Sequence, residues 1–419
     1  MIHNGEHPAP INVKYFTTGT KILFGIMILG LATYIYRLIA GLGATTNLTE
    51  QYPWGIWIAI DVASGVALAA GGFTTAALAD IFHREKYHAI VRPALLTALL
   101  GYSFVVIGLL ADLGRYYNVW HPMLPSMWQG DSVLFEVGLC VMIYLTVLYI
   151  EFLPIVVERF RGRVNLPGVL ARANKILESM LSIADRTLGR ITSLFIIAGV
   201  VLSCLHQSSL GTLMIIAPSK MHPLWYTPIL PLLFLLSAIA VGFPMVIFES
   251  ILASRSFKLK PEMPVLSSIA RYTPILLGIY LALKIGDLTI RDAWGYVTAF
   301  SPESFAWLAE VLIGGLIPIF ILSSRRMRHS ITGLFLGASL VITGIVMNRI
   351  NVFLVAYHPL YADKPYFPSF MEIMVTVGLI AGLVLVYRAM VKIFPVISVH
   401  TEEPPQPAPM QTSIVAGGK

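Results

Sequence analysis

Apolar runs of about twenty residues recur ten times along this chain, and they constrain everything else about it. They centre on residues 17–40, 54–79, 90–111, 132–157, 190–216, 226–253, 264–286, 303–323, 330–348 and 370–394. Each is long enough for an α-helix to cross a hydrocarbon core, whereas barrel strands would alternate apolar and polar residues over about 10 positions. The chain is 57% hydrophobic and 12% charged, against about 25% charged in a soluble domain. The sequence therefore predicts an all-α polytopic membrane protein of about ten transmembrane helices.

The net charge of +7 is no sign of nucleic-acid binding, because the basic residues are sorted by loop. Most of the 29 Lys and Arg residues fall in the termini and the even-numbered connections, while Arg115, Lys220, Arg291, Arg349 and Lys364 occupy the odd-numbered ones. Positive charge stays cytoplasmic, so both termini are expected inside. The expected organisation is a cytoplasmic N-terminal segment (1–16), helices 1–4 (17–157), a cytoplasmic connector (158–189), helices 5–10 (190–394) and a disordered cytoplasmic tail (395–419). The connector carries "GVLARANKILESMLSIADR", whose apolar residues recur at helical spacing opposite Arg172, Lys175 and Arg186. That pattern suits an amphipathic helix lying on the membrane surface and joining spans 1–4 to spans 5–10. The tail, "TEEPPQPAPMQTS", is Pro-rich. The first run has no small-x-small cleavage site and reads as a retained helix. Cys140 and Cys204 lie inside runs and form no disulfide, zinc or iron–sulfur framework.

The outward loops are rich in aromatics and proline, and three contain a His-Pro pair, at His121, His222 and His358. They suit an interfacial aromatic belt, or a rim that docks an extracytoplasmic partner. Their spacing supports no metal geometry.

Ionisable groups inside a bilayer are costly and are functional candidates by default. Asp61 lies seven residues beyond Trp54, about 10 Å deep at 1.5 Å per residue. Asp112 and Arg115 stand at the outward end of helix 3, Glu136 near the outward start of helix 4, and His206 in the outer half of helix 5. Glu310 and Glu372 are similarly shallow. Each group has a plainer reading: Asp112 and Arg115 pairing on one helix face, Glu136 solvated by headgroups, His206 making a helix–helix hydrogen bond. Taken together, at matching depth on consecutive helices, they suggest a polar pocket for a lipid-soluble ring with two oxygens. A quinol fits, because its oxidation needs hydrogen-bond partners and proton acceptors. Tyr116, Gln207 and Ser208 add hydrogen-bonding groups. A second set, Glu151, Glu249 and Arg271, lies toward the cytoplasm and reads as a proton path or as interface snorkelling. A bis-histidine haem is not expected, since His206 is the one histidine well inside a run and no C-x-x-C-H occurs.

Several motifs resemble a known family: "YPWGIWIAIDVASGVALAAGG" (52–72), "YHAIVRPALLTALLGYSF" (87–104), "DLGRYYN" (112–118), "SVLFEVGLCVMIYLTVLYIEFLPIVVER" (132–159), "HQSSLGTLM" (206–214), "HPLWYTPILPLLFLLSAIAVGFPMVIFE" (222–249) and "PYFPSFMEI" (365–373). Over about residues 20–395 the chain is similar to NrfD/polysulfide-reductase membrane subunits, in particular those of Hyb-type [NiFe] hydrogenases and of Hmc- and Dsr-type electron-transfer complexes. The resemblance implies a haem-free subunit of a respiratory complex in a bacterial or archaeal inner membrane. It implies a quinone, menaquinone before ubiquinone, bound near the outer face in the bundle of helices 2–5. The matching positions are Asp61, Asp112, Arg115, Tyr116, Glu136 and His206. It also implies an extracytoplasmic ferredoxin-like [4Fe–4S] subunit linked to a hydrogenase or a multihaem cytochrome. Two other readings stay open: a membrane anchor without quinone chemistry, and a secondary transporter, which would favour broken helices and inverted repeats at mid-membrane.

Overall fold

A computed structural model describes residues 6–362 and 364–400. Among them, ten helices are long and apolar enough to cross a membrane: Thr18–Ala40, Trp57–Ile81, His88–Asp112, Val133–Phe160, Ile191–Ile215, Leu230–Phe257, Met263–Ile290, Pro302–Ser323, Ile331–Val355 and Phe370–Ile393, here spans 1 to 10. The chain is a multi-pass membrane protein. Hydroxyls start several spans by accepting from backbone N–H groups that have no partner within the helix: Thr17, Ser132, Ser301 and Ser369 each cap one.

Spans 2–5 close into one four-helix bundle and spans 6–9 into another, while spans 1 and 10 pair with each other and lie against span 3. This replaces the expected grouping of spans 1–4 and 5–10. Loop lengths alone do not choose between the two groupings. The two bundles meet through small residues, since Gly71 lets span 6 approach so closely that a Cβ there would sit 3.1 Å from the Gly242 carbonyl oxygen.

The described residues are all-helical as expected, apart from a short two-stranded antiparallel ribbon of Glu6–Pro8 with Ser398–His400. Two further expectations are corrected. Residues 395–400, expected to be part of a disordered tail, are instead ordered. Val396 is buried, and Ala9 and Ile11 donate backbone hydrogen bonds to Ile397 and Val391. The remainder of that tail, 401–419, lies outside the described residues. The connector is not a separate surface helix either. From Asn174 onward it is one uninterrupted helix with span 5, ending at Ile215 after 42 residues, about 63 Å long. No Gly or Pro breaks the chain between Asn174 and Leu188, and amphipathic spacing is the same whether a helix bends onto a membrane or continues straight.

Spans 1 and 10 meet at two glycines. A Cβ on Gly30 would fall 2.5 Å from the Gly378 Cα. Gly30→Val is expected to cost about 1–3 kcal/mol through overpacking, read as a lower melting temperature of the purified chain. An unchanged melting temperature would show that the pair is not tightly seated.

Candidate functional site

One end of the helix bundle, the end expected to face outward, holds a cluster built from spans 1, 2, 3 and 10. Asp61 sits in a π-helical turn, Trp57–Ser64, a distortion that recurs at functional sites. Its Oδ2 accepts from the Thr376 hydroxyl at 2.6 Å. Gly108 makes room for it, since a Cβ there would lie 2.8 Å from the Asp61 Cβ. Asp112 ends span 3 within electrostatic range of Arg37 and Glu372. Its Oδ1 is buried without a hydrogen-bond partner among the described residues. Arg37 is only 1% exposed, donates to the Leu113 carbonyl at 2.6 Å and lies over the Tyr116 ring.

Glu372 organises the rim of this cluster. Its Oε2 accepts from the backbone N–H groups of Ser369 and Asn47 at 2.8 and 3.0 Å, and its Oε1 accepts from the Tyr366 hydroxyl at 2.6 Å. Tyr366 in turn accepts from the Ile56 N–H at 3.1 Å. Burial, together with the Glu372 carboxylate, pushes the Tyr366 phenol up, so it stays a donor. Glu372 had been noted only for its depth. Its "SFME" spacing, Ser followed three residues later by Glu, is the capping-box signature that foretells its local role.

His206 belongs to a second group, inside the first bundle. It is 0% exposed, and neither ring nitrogen has a partner among the described residues. Its ring lies 5.8 Å from Tyr102, which packs edge-on against Tyr144 at 4.5 Å, and both phenols neighbour Ser203. Gln207 donates to the Val66 carbonyl on span 2 at 2.8 Å. Ser208 is half-buried, and its carbonyl accepts from Thr212. Glu136 is exposed and accepts from Ser209, a residue the sequence had not singled out.

The expected single pocket at one depth is therefore corrected. Measured from the same end of the bundle, Asp112 is the last residue of its span, Glu136 and Asp61 lie about 5–6 Å in, and His206 about 14 Å. Run boundaries misjudged by a few residues hide such differences. Arg115 is exposed and forms no ion pair with Asp112 among the described residues, since helix 3 ends at Asp112 and the i, i+3 face is lost. The Tyr116 hydroxyl reaches only the Leu38 carbonyl, at 3.4 Å.

The inward set also separates. Glu151 lines a cavity of about 190 Å³ within the first bundle, together with Asp80, Arg92, Tyr144 and Thr192. Glu249 lines a different one of about 320 Å³ between spans 1, 6 and 10, with Thr97 and Tyr387 beside its carboxyl. Arg271 is exposed and donates to Tyr272 at 2.9 Å.

A third polar group lies in the second bundle. Lys284 and Glu310 form a buried ion pair, 6% and 5% exposed. Glu310 also accepts from Trp225 at 3.0 Å and from Asn348 and Asn351 at 2.9 Å each. Arg349, assigned to an outward loop from the sequence, is instead buried in span 9. It donates to Asn348 and Ser237 and lies 3.7 Å over the Phe234 ring. The cost of intramembrane charge flags Lys284 and Arg37 as readily as it flags the acids, and sorting cations by loop passes over both.

Residues 44–360 match the family model described as "Polysulphide reductase, NrfD". The chain belongs to this family. A protein of Nitratidesulfovibrio vulgaris is 38% identical over 94% of this chain and 98% of its own. The "Probable Ni/Fe-hydrogenase 2 b-type cytochrome subunit" of Escherichia coli is 33% identical over 93% of this chain and 95% of its own. The "Menaquinone reductase, integral membrane subunit" of N. vulgaris is 25% identical over 88% of each chain. A haem held by two buried histidines does not fit the residues here, because His206 is the sole buried histidine among those described.

Proposed function

We propose that this NrfD-family chain is the quinone-reactive membrane subunit of a respiratory redox complex in a bacterial or archaeal inner membrane, with both termini cytoplasmic. The observation that carries the reading is the open Asp112 Oδ1, a buried acceptor in a cluster whose other carboxylates are engaged. A quinone headgroup fits there: a quinol hydroxyl suits Asp112 Oδ1, and the Arg37 guanidinium is a donor for a ring oxygen. Bound quinol supplies two electrons and two protons. Asp112 holds a proton at Oδ1, and Asp61, steadied by Thr376, is the second acceptor. Menaquinone is the favoured quinone, supported by the menaquinone reductase relative. Electrons pass to an extracytoplasmic ferredoxin-like [4Fe–4S] subunit docked on the aromatic outward loops, and from there to a hydrogenase or multihaem cytochrome. The hydrogenase relative supports that assembly. Photolabelling of the full chain with an azido-quinone tests the site. Label is expected on spans 2, 3 and 10 and is lost on competition with menaquinone. Label confined to other spans would refute it.

A proton path inward is favoured by one arrangement. His206, Tyr102 and Tyr144 lead from mid-membrane to the Glu151 cavity, and Asp80 lies within electrostatic range of Glu151. Glu249 and Arg271 are not on this line. Glu151→Gln is expected to halve, at least, the protons moved per electron in proteoliposomes while quinone reactivity persists. An unchanged ratio would sink the path.

A further inference from the structure

We propose that the chain binds the phosphate headgroup of an anionic phospholipid in a depression between the start of span 7 and the connection from span 8 to span 9. The depression measures about 250 Å³ and is lined by Ser267, Ser268, Arg271, Arg325, Arg328 and His329, with Pro264 at its edge. It lies on the face that carries most of the basic residues, so a basic character alone is expected there. Convergence without an acid is not.

Two cations elsewhere on this face have acidic partners. Arg92 pairs with Glu158 at 2.7 Å, and Arg161 pairs with Asp185. Among the described ion pairs none involves Arg271, Arg325 or Arg328, and no carboxylate lines the depression. Neutral groups position these side chains instead. Arg328 donates to the Leu322 and Ser323 carbonyls at 2.6 and 2.7 Å, and Arg271 donates to the Tyr272 hydroxyl. The His329 Nδ1 rests 2.8 Å from the Arg325 carbonyl oxygen. Lys86 approaches from the other side, donating to Ser268 at 2.8 Å. The positive charge is therefore held in place, and among the described residues no acid pairs with Arg271, Arg325 or Arg328.

Arg271 indicates what compensates it. It lies eight residues beyond Met263, inside span 7, and is exposed. Level with the span 8–9 connection, its guanidinium has no acidic partner among the described ion pairs, and a phosphate is its best bidentate partner. Ile275, Ile279 and Leu283 continue from Arg271 at i+4 intervals and are all exposed, so they form one stripe on span 7. A ligand with phosphate at Arg271 and an acyl chain along that stripe satisfies both, whereas a soluble phosphate compound leaves the stripe unused. Basic depressions between transmembrane helices on the cytoplasmic side bind such headgroups. Three guanidiniums suit a lipid with two phosphates, a diphosphatidylglycerol. The inference stands apart from the quinone reading.

Native mass spectrometry of the full chain in detergent, titrated with diphosphatidylglycerol, phosphatidylcholine and inorganic phosphate, tests it. Diphosphatidylglycerol is expected to bind at least about tenfold more tightly than phosphatidylcholine. Arg271→Gln/Arg325→Gln/Arg328→Gln is expected to abolish that preference, and the corresponding triple Lys variant to retain it. Arg271→Gln alone, a milder change, is expected to weaken binding severalfold. Preference in the triple Gln variant equal to that of the unaltered chain would overturn the proposal. So would binding of inorganic phosphate without lipid preference, which would assign the depression to a soluble compound.

Discussion

Replacing Lys284 with Met is expected to lower the stability of the protein by about 3–5 kcal/mol, the cost of removing one partner from a buried ion pair. Glu310 would be left in the second bundle with its carboxylate buried and its hydrogen bonds from Trp225, Asn348 and Asn351 intact. Those neutral donors solvate the charge only in part. Arg349, beside Asn348, is committed to Ser237 and the Phe234 carbonyl. The double variant Lys284→Met/Glu310→Gln removes both charges and is expected to regain most of the loss, since a neutral pair of similar volume replaces a costly charged one. Melting temperatures of the two variants check this. If Lys284→Met alone melts like the unaltered chain, the pair does not hold spans 7 and 8 together.

Asp112→Asn is expected to slow quinol oxidation by about 10²–10⁴-fold, the range for loss of a positioned proton acceptor, with assembly into the complex unimpaired. The carboxamide is nearly isosteric and keeps an oxygen toward Arg37, so packing at the end of span 3 is preserved. What it loses is the ability to take a proton at Oδ1, the atom that has no hydrogen-bond partner among the described residues. Asp61→Asn is expected to fall in the same direction by less, because Thr376 can still donate to the remaining oxygen. The assay is quinol-dependent reduction of the partner subunits in the purified complex. Full activity in both variants would leave the chain an anchor, or move the quinone site toward His206.

The family and the ten apolar helices were legible in the sequence because they rest on ordered motifs and on run length. Asp61 accepts a hydrogen bond from Thr376 of span 10, Asp112 lies within electrostatic range of Arg37 and Glu372, and Arg37 reaches the end of span 3 from a helix more than twenty residues away in sequence. His206 was correctly singled out as exceptional and incorrectly placed level with them, since a soft helix boundary shifts depth by 1.5 Å per residue. Arg115 was misjudged for a related reason. It lies just past a helix end that periodicity does not locate.

Composition and periodicity alone determined that the chain crosses a membrane ten times as helices. A bilayer leaves no other way to satisfy the backbone of twenty apolar residues. Only the tertiary structure decided which polar groups share a site. Helices in a membrane choose neighbours by close packing of small residues such as Gly30, Gly71 and Gly378, and that choice is not written into any one run. It separates Glu151 from Glu249, joins Lys284 to Glu310 across 26 positions, and brings two connection arginines and one span arginine into one charged depression.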